Sequence, residues 1–429
     1  MKALKAQQEP RAEAAAVVKK ASLSFFLLTF FTTAMTYAQD LPAEELQVNF
    51  SGYFDSFNVN VIYPNIALTR KVSENTSISG RYLVDMITAA SIKGGKTKTS
   101  NNQESNFDDE IDDESSPHGV QTVDAVTAAS SSSGGGVGEF GGPSFDDVRN
   151  EFNLGITHIM LGNRISINGI YSSERDYNSK TLAGTISRDF LLKNTTVEVG
   201  LVRSWDRIFP VTKDWRRTKN VTTYSANFSQ LLGKKALIQF LSSYTEDEGY
   251  LADAYKQIKI GPDNNPFWYD PIQPNLRIRR AVGSRLKFRL NAKSSMEAGY
   301  RYYWDSWDVS SHTISADYMR YLDKHIILDV GLRHYMQSRA SFFKSEYLQP
   351  EQLMTADIKL DKGYSNELQL GLTLNGGPHQ DYLPFLTNEK VQYNFALNIY
   401  QRHTQTGYWF NGNKNLIATN INIGIRYRF

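Results

Sequence analysis

Ile421-Asn422-Ile423-Gly424-Ile425-Arg426-Tyr427-Arg428-Phe429 closes the chain, with apolar or aromatic side chains at every odd position and Asn, Gly or Arg at every even one. Ile417 and Thr419 extend the odd set backwards. Period-two alternation belongs to a strand whose two faces meet different media. A helix would scatter Ile421, Ile423 and Ile425 over three sides. A last strand with alternate aromatics and a terminal Phe is similar to the assembly signal of bacterial outer-membrane barrels. Ile425, Tyr427 and Phe429 are its candidate residues, and barrel-assembly machinery is the partner they imply.

The same alternation recurs upstream. Leu46, Val48 and Phe50 share one face, as do Phe152, Leu154 and Ile156. Met296, Ala298, Tyr300, Tyr302 and Trp304 oppose Glu297, Gly299, Arg301 and Tyr303, and Leu368, Leu370, Leu372 and Leu374 oppose Glu367, Gln369, Gly371 and Thr373. The pattern predicts about 16 strands, with 14 as the alternative, in an all-β, antiparallel, up-and-down transmembrane barrel. The spans are 46–56, 60–72, 76–89, 148–161, 164–172, 177–191, 195–205, 220–232, 235–246, 279–290, 294–304, 309–321, 325–336, 363–374, 391–402 and 416–429. Arg188 and Arg203 fall on the face assigned to lipid and are the misfits of the scheme.

Links such as Gly162-Asn163 and Gly233-Lys234 are short, while 90–147, 206–219, 247–278, 337–362 and 403–415 are long. Short turns facing the periplasm and long loops facing outside give this alternation. The link 375–390 breaks the rule, because counting from the carboxy terminus puts it on the periplasmic side. All six tryptophans (205, 215, 268, 304, 307 and 409) fall at outer strand ends or in long loops, where an aromatic girdle is expected.

Composition agrees with export to a membrane. The chain has 429 residues, no Cys, 47 basic against 45 acidic side chains and 24 Tyr. Its mean hydropathy is only −0.43, as when alternate residues alone face lipid. The balanced charge gives no reason to expect nucleic acid, and the lack of Cys excludes disulfides and zinc thiolates. Lys19-Lys20, an apolar run from Ala21 to Phe31 and Thr36-Tyr37-Ala38 predict a cleaved signal peptide over 1–38, the barrel occupying 39–429. Within it, 92–147 carries clustered acids, Ser130 to Ser133 and Gly134 to Gly136, a low-complexity extracellular loop.

Several stretches resemble one family of exported proteins, the domain-of-unknown-function family numbered 3570. They are VDMITAAS (84–91) with its echo VDAVTAAS (123–130), RNEFNLGITH (149–158), YSSERDYNSKTLAGTISRDF (171–190), RSWD (203–206), EDEGYLADAYKQIKI (246–260), YRYYWDSWDVSSHT (300–313) and QSRASFFKSEY (337–347). The resemblance implies an outer-membrane barrel and supplies no activity, substrate or catalytic residue.

Functional candidates therefore come from the residues alone. Inward parity collects Arg81, Asp85, Glu198, Arg285, Lys287, Arg289, Glu297, Arg301, Asp317, Asp329, Arg333, Glu367, Arg402, Arg426 and Arg428. So many charges require water or partners, since each dry, unpaired charge costs several kcal/mol. Arg285, Lys287 and Arg289 beside Glu297 and Arg301 form the candidate constriction, either anion-selective or a cross-strand ion-pair ladder.

No His-x-x-His spacing, Gly-x-Ser-x-Gly elbow or phosphate-binding glycine loop is present. His312 and His334 read as interfacial packing, and Glu246/Asp247/Glu248 and Asp305/Asp308 as solvated rim acids. The expectation is a non-enzymatic outer-membrane barrel without cofactor or metal, porin-like or surface-structural, embedded in outer-membrane lipid, its solute unspecified. The alternatives are an outer-membrane enzyme acting on lipid or peptide, and a secreted soluble all-β binding protein.

Overall fold

The computed structural model describes residues 40–57, 59–88, 147–261, 266–377, 387–407 and 412–429. The expected signal peptide, most of the low-complexity loop, the VDAVTAAS echo and Trp409 lie outside these residues. Sixteen strands form the wall. They are β1 (Glu45–Asp55), β2 (Asn60–Ile62 and Asn65–Ser73), β3 (Thr76–Thr88), β4 (Asp147–Met160), β5 (Asn163–Ser173), β6 (Tyr177–Phe190), β7 (Thr195–Ile208) and β8 (Arg217–Leu232). The second half is β9 (Ala236–Gly249), β10 (Leu276–Arg289), β11 (Ser294–Asp305), β12 (Ser310–Tyr321), β13 (Ile326–Gln337), β14 (Gly363–Asn375), β15 (Val391–Thr404) and β16 (Asn415–Arg428).

Every neighbour is antiparallel, and β1 pairs with β16 from Glu45↔Arg428 to Asp55↔Ala418. That last pairing closes the sheet, so no edge is left to satisfy. The strand that decided the reading is thus the one that completes the wall.

Alternation has the orientation the sequence required. Val48, Phe50, Phe152, Leu154, Leu332, Phe395, Ile421, Ile423 and Ile425 are all exposed on the outside. A water-soluble sheet would turn this set toward a common core. Here it is the apolar belt of a transmembrane barrel. Strands of 14 residues are common and rise ~36 Å at ~3.4 Å per residue and ~40° of tilt. A belt ~25 Å tall leaves their ends standing in the headgroup layers.

β2 is interrupted at Tyr63-Pro64, where Pro has no N–H to give the ladder. Pairing resumes around it, Tyr63 N–H donating to the Ser51 carbonyl at 2.9 Å and Val84 N–H to the Pro64 carbonyl at 3.1 Å. The β4–β5 turn is Leu161-Gly162, with φ of +52° and +75°, the signature of a type I′ hairpin. It sits one residue earlier than the expected Gly162-Asn163.

The long link between β14 and β15 is indeed on the same side as both termini. The outer links 56–59, 174–176 and 306–309 are short, contrary to the expectation that outer links are long. Between β9 and β10 a small hairpin pairs Ile258–Ile260 with Phe267–Tyr269.

Candidate functional site

Inward parity holds for every charge assigned to the lumen. Register sets Lys287 opposite Glu297, Arg285 opposite Gly299 and Gly283 opposite Arg301. Lys287 Nζ lies 3.6 Å from Glu297 Oε2, and Arg289 Nε donates to the Asn291 carbonyl at 3.1 Å near the periplasmic turn. Glu297 in turn faces Asp317. The five expected residues are therefore together on two neighbouring strands, as a mixed-charge patch with Asp317 and Asp329 beyond it. Further round, Arg81 pairs with Glu151 at 2.6 Å and Arg333 with Glu367 at 3.7 Å.

The extracellular half of the lumen is more tightly tied. β10 carries two more inward cations, Arg277 and Arg279, which the sequence reading left at the loop boundary. Arg279 meets Asp247 at 2.8 Å. Arg277 Nη2 donates to Asp305 Oδ2 at 2.6 Å, and its guanidinium stacks 4.5 Å over the Trp307 ring. Asp247 and Asp305 are thus structural acids with fixed partners, which corrects their reading as solvated rim acids.

Asp305 also organises a tight hairpin tip. Its Oδ1 accepts from Trp307 N–H at 2.8 Å and Val309 N–H at 3.0 Å, and its Oδ2 from the Tyr303 hydroxyl at 2.7 Å. The β1–β2 tip repeats the arrangement. Asp55 Oδ1 accepts from Phe57 N–H at 2.8 Å and Val59 N–H at 3.0 Å, and Oδ2 from the Tyr53 hydroxyl at 3.1 Å. The shared spacing stands in the sequence as Asp55-Ser56-Phe57-Asn58-Val59 against Asp305-Ser306-Trp307-Asp308-Val309, a signal that strand periodicity does not register.

Both tips turn their aromatic residue inward, which corrects the expectation for Trp307: it is 4% exposed and no part of a girdle. Trp307 packs with Val309, Ala340, Phe343 and Leu360, while Phe57 packs with Ile358 and Leu416. Ile358 and Leu360 belong to one turn of 3₁₀ helix, Ile358–Leu360, in the link between β13 and β14. That link, 338–362, is a strap. Ser341 N–H donates to the Trp307 carbonyl at 2.9 Å, and Ile272 and Met354 exchange backbone bonds of 2.9 and 2.8 Å. Tyr347 and Met354 bury against Ile258 and Ile260 of the small hairpin.

The β9–β10 hairpin and the β1–β2 tip stand eight strands apart in a ring of sixteen. A segment touching the first through Met354 and the second through Ile358 therefore crosses the mouth.

One ion pair pins the strap at that crossing. Lys256 Nζ lies 3.0 Å from Asp357 Oδ1 and 3.2 Å from Asp253 Oδ2. Burial pushes the Asp357 carboxyl up, but Lys256 and then Lys359 outweigh it and hold it down at about 2. A depressed carboxylate stabilises fully above its unfolded value, 3.8, and that contribution is lost as pH falls through about 2. The protection factors of the amides of residues 354–360, exchange rates divided by their intrinsic values at each pH, are expected to fall over that window and to stay level between pH 5 and 8. A Lys256→Met variant should exchange fast even at neutral pH, because it leaves Asp357 charged and without Lys256; unchanged protection in that variant would remove the pin.

The outward face carries the interface. Trp304 stacks on Tyr302 at 5.4 Å, the Tyr300 hydroxyl meets His312 Nδ1 at 2.8 Å, and His334 Nδ1 meets Asn366 Oδ1 at 2.7 Å. His403 lies 5.2 Å from Tyr364. These histidines are packed in the girdle, as expected of His312 and His334. Arg203 sits 5.9 Å from the Trp205 ring, and Arg188, 3% exposed, lies 5.6 Å from Phe190. At the closure, Phe429 is 47% exposed, stands 5.4 Å from Tyr427 and lies under Arg70 at 4.2 Å. Among the described residues, no group of three or more His, Cys, Asp or Glu is arranged to hold a metal.

A family model described as protein of unknown function (DUF3570) matches residues 15–226 and 212–418. No curated protein matches the sequence. Solved structures to which the chain is similar include a bacterial polysaccharide outer membrane secretin, at 7% identity over 91% of this chain and 100% of that one, TM-score 0.47. Others are OmpTdeltaL8, a loop L8 deletion mutant of an outer membrane protein of Vibrio cholerae, at 8%, 90%, 99% and 0.41, and CdiB from Acinetobacter baumannii, at 8%, 91%, 61% and 0.47.

Proposed function

The chain belongs to the protein family of unknown function DUF3570, and from that premise, which brings no activity with it, we propose that it is a narrow diffusion channel of the bacterial outer membrane for small polar or charged solutes. The observation that carries the reading is the exposure of charged side chains on the inner wall. The side chain of Lys287 is 45% exposed, and those of Arg81, Arg333 and Glu297 are 29%, 29% and 26% exposed, although all point into the barrel. A wall charged along its length and still solvated suits the passage of ions better than a packed interior does. Ile425, Tyr427 and Phe429 are, in this reading, the signal taken up by the assembly machinery. The role is transport rather than catalysis.

The patch on β10 and β11 sets the selectivity. Arg285, Lys287, Arg289 and Arg301 oppose Glu297, Asp317 and Asp329, a small surplus of positive charge. In planar bilayers under a salt gradient, the wild type should favour anions weakly. Replacing Arg285, Lys287 and Arg289 together by Gln leaves Arg301 against three carboxylates, so the reversal potential should change sign. A potential that does not move would remove the patch as a constriction while leaving the channel intact.

A further inference from the structure

We propose that the outward ends of β6 and β7 form a binding site for the phosphate groups of an anionic lipid headgroup in the outer leaflet. On three neighbouring strands the lipid-facing parity changes character at one level. Leu182 on β6, Leu201 on β7 and Tyr224 on β8 are exposed apolar residues of the belt. Immediately above them stand Lys180, then Arg203, Trp205 and Arg207, then Thr222 and Asn220. Register places Lys180 opposite Trp205, Leu182 opposite Arg203 and Asn178 opposite Arg207, so Lys180 is the diagonal neighbour of both arginines at ~7–8 Å.

The charges on the two faces of the wall are used differently at this height. Inward cations are paired: Lys219 with Asp206 at 3.5 Å, Arg279 with Asp247 and Arg277 with Asp305. Outward, Arg203 donates to the Thr222 hydroxyl and flanks Trp205, while Lys180 and Arg207 are exposed. Among the described residues none of these three has a carboxylate at ion-pair distance. On the wall strands, the first outward-parity acids beyond β7 are Glu246 and Glu248, two strands away on β9. Further round, Arg280 of β10 lies over the Tyr244 ring at 5.5 Å, and the outward faces of β11 to β15 carry Trp304, Tyr302, His312, His334, Tyr364 and His403.

Three cations without a carboxylate partner, directly above an apolar belt, meet the headgroup layer, where each contributes attraction to anionic lipid. Lysine supplies a point charge, arginine a fork that matches phosphate oxygens, and Trp205 anchors the level. Lipid phosphate is the occupant that position selects, since acyl chains must lie against Leu182 and Leu201 below.

The test uses the full chain in detergent, titrated with diphosphoryl lipid A and with the same lipid after removal of its phosphates, binding being read by native mass spectrometry. The wild type should prefer the phosphorylated form, and a Lys180→Gln, Arg203→Gln, Arg207→Gln variant should lose on the order of a hundredfold in affinity for it. Heat-modifiable gel mobility reports whether that variant is folded, and Arg207→Gln alone serves if it is not. Equal affinity for the two lipids in the wild type, or undiminished binding by the folded variant, overturns the proposal.

Discussion

Replacing Ile423 by Lys should destabilise the barrel by ~2–4 kcal/mol when it is folded in a lipid bilayer. Ile423 lies midway along β16, between Phe50 of β1 and Phe395 of β15, and is 44% exposed on the outer face. If that face met water, exchanging a half-exposed isoleucine for lysine would fall within roughly ±0.5 kcal/mol. Denaturant unfolding in phospholipid vesicles measures the difference. The control is Asn398→Lys, on the inward parity of β15 opposite Asn420, where a lumen substitution is tolerated. Equal stability of the Ile423 and Asn398 variants would mean that the outer face is not a lipid face, and the membrane reading would go with it.

The wall was legible because lipid and water act on alternate residues, so period two survives wherever both media are present. Each of the sixteen expected spans overlaps a strand for that reason. The alternation stops where the two media become one. β7 continues through Asp206, Arg207 and Ile208, and β8 begins at Arg217, beyond the expected limits at 205 and 220. There both faces are wet, and the apolar alternation has nothing to report. Arg203 was a misfit only if the belt is assumed to reach the strand ends; it marks where the belt stops. The break at Pro64 is the opposite case, a single residue whose missing N–H was readable but was carried inside an unbroken span.

The lumen patch was legible for the same reason as the wall, since parity alone sends Arg285, Lys287, Arg289, Glu297 and Arg301 inward. What parity does not give is which charges are already satisfied. Asp305 could be read as a solvated rim acid because its partners, Arg277 and the Tyr303 hydroxyl, come from an adjacent strand end and from two residues upstream. Only the repeated spacing of Asp, aromatic and Val at both tips hinted that each acid folds its own turn. The strap left no periodic trace, because residues 338–362 are held by scattered buried contacts rather than by a ladder.

Excising residues 340–360 and joining the ends with a short Gly-Ser linker should raise single-channel conductance severalfold, toward that of an open sixteen-stranded pore. The segment to be removed includes Ala340, Phe343, Tyr347, Met354, Ile358 and Leu360, each at most 6% exposed. It also spans the mouth from the Trp307 tip to the Phe57 tip. None of its residues belongs to a wall strand, so closure through β1 and β16 is untouched. A milder change separates latch from bulk. Leu360→Ala removes a buried side chain from the Trp307 cluster at a cost of ~2–5 kcal/mol. It should therefore give flickering between the low conductance of the wild type and the high conductance of the deletion. A folded deletion variant with wild-type conductance would show that the strap does not obstruct the path, and silence in all three proteins would remove the channel reading itself.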